Sequence, residues 1–256
     1  MKIIFYILLS LFLTTTPLIA QQASKQNSKA ANAGVLQTGK PLPGSSRIAA
    51  SISQFVLYIL DNKGNKQFVS MLSRVVEMDE LEGEQVIRVT QRYDSSDGIN
   101  TDTSIFRRRS LEPLSYQADL TTGKESFVFK PQMVEGILTS IKGDSKKITV
   151  PLKEPLFNAV AIEELVLSLP LKAAPSISVK LYNPGKTFLN STFRVVQSTK
   201  LQSAGTKPIE VWVVEMKSEA SLTTLWISKQ TQKLIMQKSK LKNGSEFYKV
   251  RLYADV

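Results

Sequence analysis

The apolar positions of this chain recur mostly with a period of two. Residues 52–60 (ISQFVLYIL) are followed by Asp61-Asn62-Lys63-Gly64-Asn65, a turn sequence, and then by a second run over 67–78. In 86–93, Ile87, Val89 and Tyr93 fall on one face, with Arg88, Thr90 and Arg92 on the other. Near the C-terminus Tyr248, Val250 and Leu252 share a face from which Lys249 and Arg251 point away. This alternation marks strands with one face against a core. Turn signals separate the runs: Ser95-Ser96-Asp97-Gly98, Thr121-Thr122-Gly123-Lys124, Lys142-Gly143-Asp144, Asn183-Pro184-Gly185 and Lys242-Asn243-Gly244. Together they predict consecutive antiparallel hairpins, a long meander of about a dozen strands. Helical segments do not alternate with these strands, so a parallel βαβ architecture is not expected.

One segment breaks the period. Residues 154–168 carry no strong turn signal after Pro155, and Pro170 follows, which predicts a single helix near 156–168. Apolar side chains cover most of its circumference, leaving Asn158, Glu163 and Glu164 as the polar ones. Such a helix packs against the sheet. The sheet is then expected to curl into a barrel or half-barrel with the helix in its mouth, or to form a sandwich with the helix at one end. Ile209, Val211 and Val213 alternate with Trp212, Val214 and Met216, so that strand is apolar on both faces. One face is expected on the helix or a ligand, the other on a second layer.

The first 50 residues read differently. Lys2, the apolar run 3–13, the break at Thr14-Thr15-Thr16-Pro17, and Ala20 before Gln21-Gln22 match a secretory signal over 1–20, with Ala23 as an alternative cleavage point. Its apolar core is about half the ~20 residues needed to span a bilayer, so cleavage and export are expected, with no transmembrane anchor left behind. Residues 21–50, rich in Gln, Ser, Ala, Asn and Gly, read as a flexible basic spacer. The remainder, 51–256, is expected to be one antiparallel β domain, long enough to bury about 70% of its unfolded surface.

Composition then narrows the chemistry. The 256 residues carry 33 Lys and Arg against 22 Asp and Glu, a net charge of +11, with no Cys and no His. Five of those cations lie in the first 50 residues, so 51–256 holds 28 against 22, or +6. The lack of Cys excludes disulfides, thiol nucleophiles, iron–sulfur clusters and an acylated lipoprotein N-terminus. The lack of His excludes a Ser-His-Asp triad and His-ligated metals. There is no Walker loop, dinucleotide fingerprint or Gly-x-Ser-x-Gly elbow. No cofactor and no metal is assigned.

Several clusters invite a function and each has a plainer reading. The acidic run from Glu77 to Glu84 reads as a solvated hairpin. Asp94, Asp97, Asn100 and Asp102 supply oxygens that suit Ca²⁺, but at a spacing that is ordinary turn chemistry. Glu163 and Glu164 read as the helix's wet edge, with a buried acid of raised pKa as the competing case. Arg107, Arg108 and Arg109 sit where a strand should end, and Lys238, Lys240 and Lys249 concentrate in the last hairpins. These six form a candidate basic surface for anionic lipid headgroups or acidic glycans; nucleic acid is not an expected partner of an exported protein. Phe157, Val160, Ala161 and Leu165 of the helix, with Trp212 and Trp226, are the candidate lining of a cavity.

The terminal run Leu225-Trp226-Ile227-Ser228, Leu234-Ile235-Met236-Gln237, Gly244 and Tyr248, with the Leu111-Glu112-Pro113 corner between strands, resembles exported bacterial domain-of-unknown-function proteins. Those share the half-barrel fold of the LolA/LolB lipoprotein carriers. The resemblance implies a concave sheet closed by a helix and able to hold an acyl chain or other apolar ligand, and it carries over no catalytic residue. The expectation is thus a periplasmic or secreted, non-enzymatic protein that binds lipid or another apolar or amphiphilic ligand. The alternative is an envelope interaction protein whose basic sheet face meets headgroups, glycan or another protein. A carboxylate-dependent hydrolase comes third.

Overall fold

Hairpins dominate the structure because the expected turn sequences form their turns; Pro184 and Gly185, of the expected Asn183-Pro184-Gly185 turn, lie outside the described residues. The computed structural model describes residues 34–172, 176–183, 188–202, 207–218 and 221–252. The two-residue strand β1 (Gly34–Val35) comes first, and the long meander starts with β2 (Ser51–Leu60) and β3 (Lys66–Leu81). Between these two, Asp61 Oδ1 accepts from the backbone N–H groups of Lys63 and Asn65, both at 2.8 Å. There follow β4 (Glu84–Ser95), β5 (Gly98–Arg107), β6 (Pro113–Leu120), β7 (Gly123–Lys130), β8 (Met133–Ser140) and β9 (Ser145–Pro151). After β10 (Phe157–Asn158) and the helix α1 (Ile162–Ser168), the chain returns through β11 (Ile177–Tyr182), β12 (Phe188–Leu201), β13 (Ile209–Ser218), β14 (Leu222–Ser228), β15 (Leu234–Lys240) and β16 (Glu246–Arg251).

All these strands belong to one sheet. Its order is β1-β11-β12-β13-β14-β15-β16-β2-β3-β4-β5-β6-β7-β8-β9, with β10 also on β11. Two antiparallel meanders are therefore joined where the last strand pairs with β2, Tyr248 opposite Tyr58. The sheet stays open, curls, and holds α1 against its concave face. This is the mostly-β architecture expected from the alternation. One edge, β11, is covered by β1 and β10 in parallel pairing. The other, β9, carries Lys146, Lys147 and the terminal Pro151, residues that discourage a further strand.

The helix is shorter than expected. Phe157 and Asn158 join the sheet, and the Asn158 side chain accepts from the Val160 N–H at 2.9 Å, opening a 3₁₀ turn over Ala159–Ala161 before α1. Asn at that position favours a cap over a continuing helix. Phe157, Ala161, Leu165 and Val166 are fully buried against Phe55, Leu72, Phe106, Phe193 and Leu225 of the sheet. Phe157, Leu165 and Val166 each contribute about 1.5–3 kcal/mol on leaving water. A second cluster, centred on Tyr116, Phe127 and Val134, fills the β6–β8 wing.

Part of the expected spacer is structured. Residues 1–33, with the signal and the first part of the spacer, lie outside the described residues. Within 34–50, Leu42 and Ile48 are buried in the main core. The Leu42 N–H donates to the Arg109 carbonyl at 2.9 Å, and Arg47 Nη2 donates to the Leu169 carbonyl at 2.6 Å. The segment thus ties the end of α1 to the β5–β6 corner. Its polar composition concealed two well-spaced apolar anchors.

Candidate functional site

A cavity of about 260 Å³ lies between the turn leading into α1 and the concave face. Ala159 and Val160 form its helix side, and from β11 to β14 it is lined by Leu181, Leu189, Met216 and Leu225, with Ser191, Ser218 and Thr223 among them. The opposite wall is different. There Gln91, Tyr93 and Asp102 face the cavity from β4 and β5, with Glu163 from α1 and Lys249 from β16. Ser191 also lines it, and its buried hydroxyl has no hydrogen-bond partner among the described residues.

Strand register explains the polar wall. Ser53, Arg74, Gln91 and Asp102 are directly opposed on β2, β3, β4 and β5, so they form one polar row across the buried face. Arg251 Nη1 donates to Ser53 Oγ at 2.6 Å, and Gln91 Nε2 donates to Asp102 Oδ1 at 3.1 Å. The helix carboxylates sit over this row. Arg74 Nη2 donates to Glu164 Oε2 at 2.7 Å, its Nε lies 3.6 Å from Glu163 Oε1, and Lys249 Nζ donates to Glu163 Oε1. Two cations, Arg74 and Lys249, and two helix carboxylates thus clamp α1 to the sheet.

Burial and pairing pull the titrations apart. Burial pushes Glu163 up, but Arg74 and Lys249 outweigh it and hold the carboxyl at about 2. Burial weighs against the Arg74 charge too, yet Glu163 and Glu164 raise its pKa above the ordinary arginine value. Lys249 moves the other way: burial lowers it despite Glu163. The two ends of the Glu163–Lys249 pair therefore do not mirror each other, because Glu163 draws on Arg74 as well. Asp102 is raised to about 6, chiefly by burial, with Gln91, Arg74 and Lys249 opposing. Glu163 is held ionised, the reverse of what a general acid needs.

The structure disperses the residues singled out in the sequence. Val160 lines the cavity, whereas Phe157, Ala161 and Leu165 are fully buried in the core beside it. Trp212 faces the helix side next to Ile227, with Lys229 Nζ 4.6 Å from its ring. Trp226 packs on the opposite face with Val211, Val213 and Ile235. That outer cluster takes the place of the second layer expected behind β13.

The candidate basic surface divides in the same way. Arg107 ends β5 and pairs with Glu84 and with Glu112, while Arg108 and Arg109 turn through the corner. Lys238 and Lys240 lie on the outer face, Lys238 at 2.7 Å from Glu246. Lys249 does not join them. It is 8% exposed and belongs to the cavity. The alternation in β16 is therefore inverted: Phe247, Lys249 and Arg251 face inward, and Tyr248 stacks outward on Tyr58 with ring centroids 4.9 Å apart. Both helix glutamates likewise leave the expected wet edge for the interior. Asp94 faces outward opposite Ile99 and pairs with Arg92, on the other side of the sheet from Asp102, so the two do not converge. Sequence reasoning missed Arg74, Gln91 and Asp102 as a unit; a polar residue at the same inward step of three successive strands was the available signal.

No helix among the described residues is long and apolar enough to cross a membrane. No curated protein matches the chain. Among solved structures it is similar to the hypothetical lipoprotein YmcC from Escherichia coli K12, with 13% identity over 84% of this chain and 90% of that one. The TM-score of 0.29 is too low for that likeness to carry fold or function across. A family model, DUF3108, described as a protein of unknown function, matches residues 68–252. That span includes α1 and every charged residue around the cavity, and on it the chain belongs to the DUF3108 family of proteins of unknown function.

Proposed function

We propose that this is an exported, non-enzymatic protein that holds an apolar or amphiphilic ligand, such as a lipid, between helix and sheet. The observation that carries the reading is the cavity itself, about 260 Å³, with a largely apolar side from β11 to β14 and charged groups at the other. Concave sites with mostly apolar walls and a few placed polar groups are the usual form of small-molecule sites. The volume is just under the usual range of about 300–1,000 Å³, which favours a single chain over a two-chain lipid. The secretory pattern of 1–20 and the half-barrel resemblance support the same reading.

Native mass spectrometry of gently purified protein tests it, together with displacement of an apolar fluorescent probe. The expected result is a bound mass released on denaturation, and probe binding lost in Ala159→Phe while the far-UV spectrum is unchanged. A bare chain that also ignores apolar probes overturns the proposal.

The outer face supports a second reading, an envelope interaction protein. Lys66 Nζ lies 3.9 Å from the Tyr58 ring and Lys238 Nζ 5.6 Å from the Tyr248 ring, a cationic and aromatic patch on one exposed surface.

A further inference from the structure

The charged wall of the cavity contains one group whose bonding is incomplete. An ammonium has three donors. Among the described residues Glu163 is the hydrogen-bond acceptor that Lys249 has, and the Phe55 ring lies 4.4 Å from its Nζ. Lys249 lines the cavity, so an acceptor inside it has donors to meet. The neighbours set the charge of that acceptor. Arg74, Lys249 and Arg251 face Glu163 and Glu164, with Asp102 behind Gln91 as the remaining acid. With Asp102 protonated, the three cations exceed Glu163 and Glu164 by one charge, which a single negative head balances, whereas a dianion meets repulsion from both glutamates.

The apolar wall runs away from the same point. Lys249 is opposite Gln237, which is opposite Leu225, and from Leu225 the apolar lining steps diagonally along the strands to Met216, then past Ser218 and Ser191 to Leu189 and its partner Leu181. From β14 to β11 that path crosses three strand spacings, about 14 Å, and is lengthened by its offset along the strands. A head at Lys249 therefore has apolar side chains leading away from it across β14 to β11.

Resting on the ligand-binding reading above, we infer that the cavity takes a single-chain amphiphile with a carboxylate head. The head accepts hydrogen bonds from Lys249, and the chain lies along Leu225, Met216, Leu189 and Leu181.

The test compares decanoate with decanol, two probes of equal chain length, by displacement of a fluorescent apolar probe from the purified protein at pH 5.5, where Asp102 holds its proton and decanoate is mostly ionised. Decanoate is expected to bind at least ~10-fold more tightly than decanol, a modest premium for a charge-assisted hydrogen bond. Lys249→Met should erase that preference and keep decanol binding, which also certifies the fold. Glu163→Gln, which removes a competing negative charge, should widen the preference. Equal binding of both probes to the wild type, or a preference that survives Lys249→Met, overturns the carboxylate head and leaves the cavity reading standing. If neither probe binds the wild type, both readings fall.

Discussion

Glu163 and Lys249 stand 86 positions apart in the chain and meet as a buried ion pair between α1 and the last strand. Arg74 joins them from β3, so the helix is fastened to the strands on either side of β2, the seam between the two meanders. Buried ion pairs add little net stability over an apolar substitute, but losing one partner strands a charge in low dielectric. Arg74→Met leaves Glu164 without its 2.7 Å partner and should destabilise the fold by about 3–5 kcal/mol in urea denaturation. Adding Glu164→Leu should restore most of the loss. If the double variant is as unstable as the sum of the singles, the pair is not coupled as described.

Asp102 gives a pH dependence of definite sign. Its pKa is raised from 3.8 to about 6, so the folded state holds the proton more tightly than the unfolded chain. Ionising it opposes folding: its contribution is intact below about pH 4, falls as pH rises to 6, and stays lost above. Two units correspond to about 3 kcal/mol. Asp102→Asn should therefore gain on the wild type by up to about that much between pH 4 and 7.5. Gln91, Arg74, Lys249, Glu125, Tyr93 and Tyr116 surround the carboxyl and are common to both proteins, so the difference isolates Asp102. A stability difference that is flat across this range refutes the burial argument.

These two relationships also show where sequence reading stopped. Ile87, Val89 and Tyr93 face inward as the alternation of β4 requires, because Arg88 and Arg92 both fall on the opposite face. In β16 the period is equally clear but its phase is not. Tyr248 and Val250 are as apolar as the face that is buried, and Lys249 and Arg251 look like solvent-facing residues until Glu163, Ser53 and the Leu234 carbonyl are seen to receive them. Local pattern carries the period of a strand; the partner that neutralises a buried charge is contributed by a distant element. The same holds for the two helix glutamates, whose burial depends on Arg74 some 90 residues earlier.

Close packing in the β6–β8 wing makes a local prediction. A Cβ added at Gly136 would lie 2.2 Å from the Phe127 ring and 2.8 Å from the Ser126 carbonyl oxygen. The ring is 1% exposed and has no free space to retreat into. Gly136→Ala should destabilise by about 1–3 kcal/mol, as overpacking typically does. Combining it with Phe127→Leu should recover part of the loss, and a thermal melt of both variants checks this.

The segment before β2 offers the sharpest contrast with a spacer. Leu42 and Ile48 are 4% and 2% exposed, and Arg47 donates to the carbonyl that ends α1. Leu42→Ala and Ile48→Ala remove buried methyl groups beneath that helix end and should each cost about 2–5 kcal/mol, as such truncations do. Arg47→Ala exposes the Leu169 carbonyl and should have a smaller effect, about 1 kcal/mol. Because the segment also meets the far side of the Arg74, Glu163 and Arg251 cluster, loosening it should speed hydrogen exchange in α1 before it affects β4 to β8. A flexible tether predicts the opposite, with all three substitutions silent in denaturation and no change in α1 exchange.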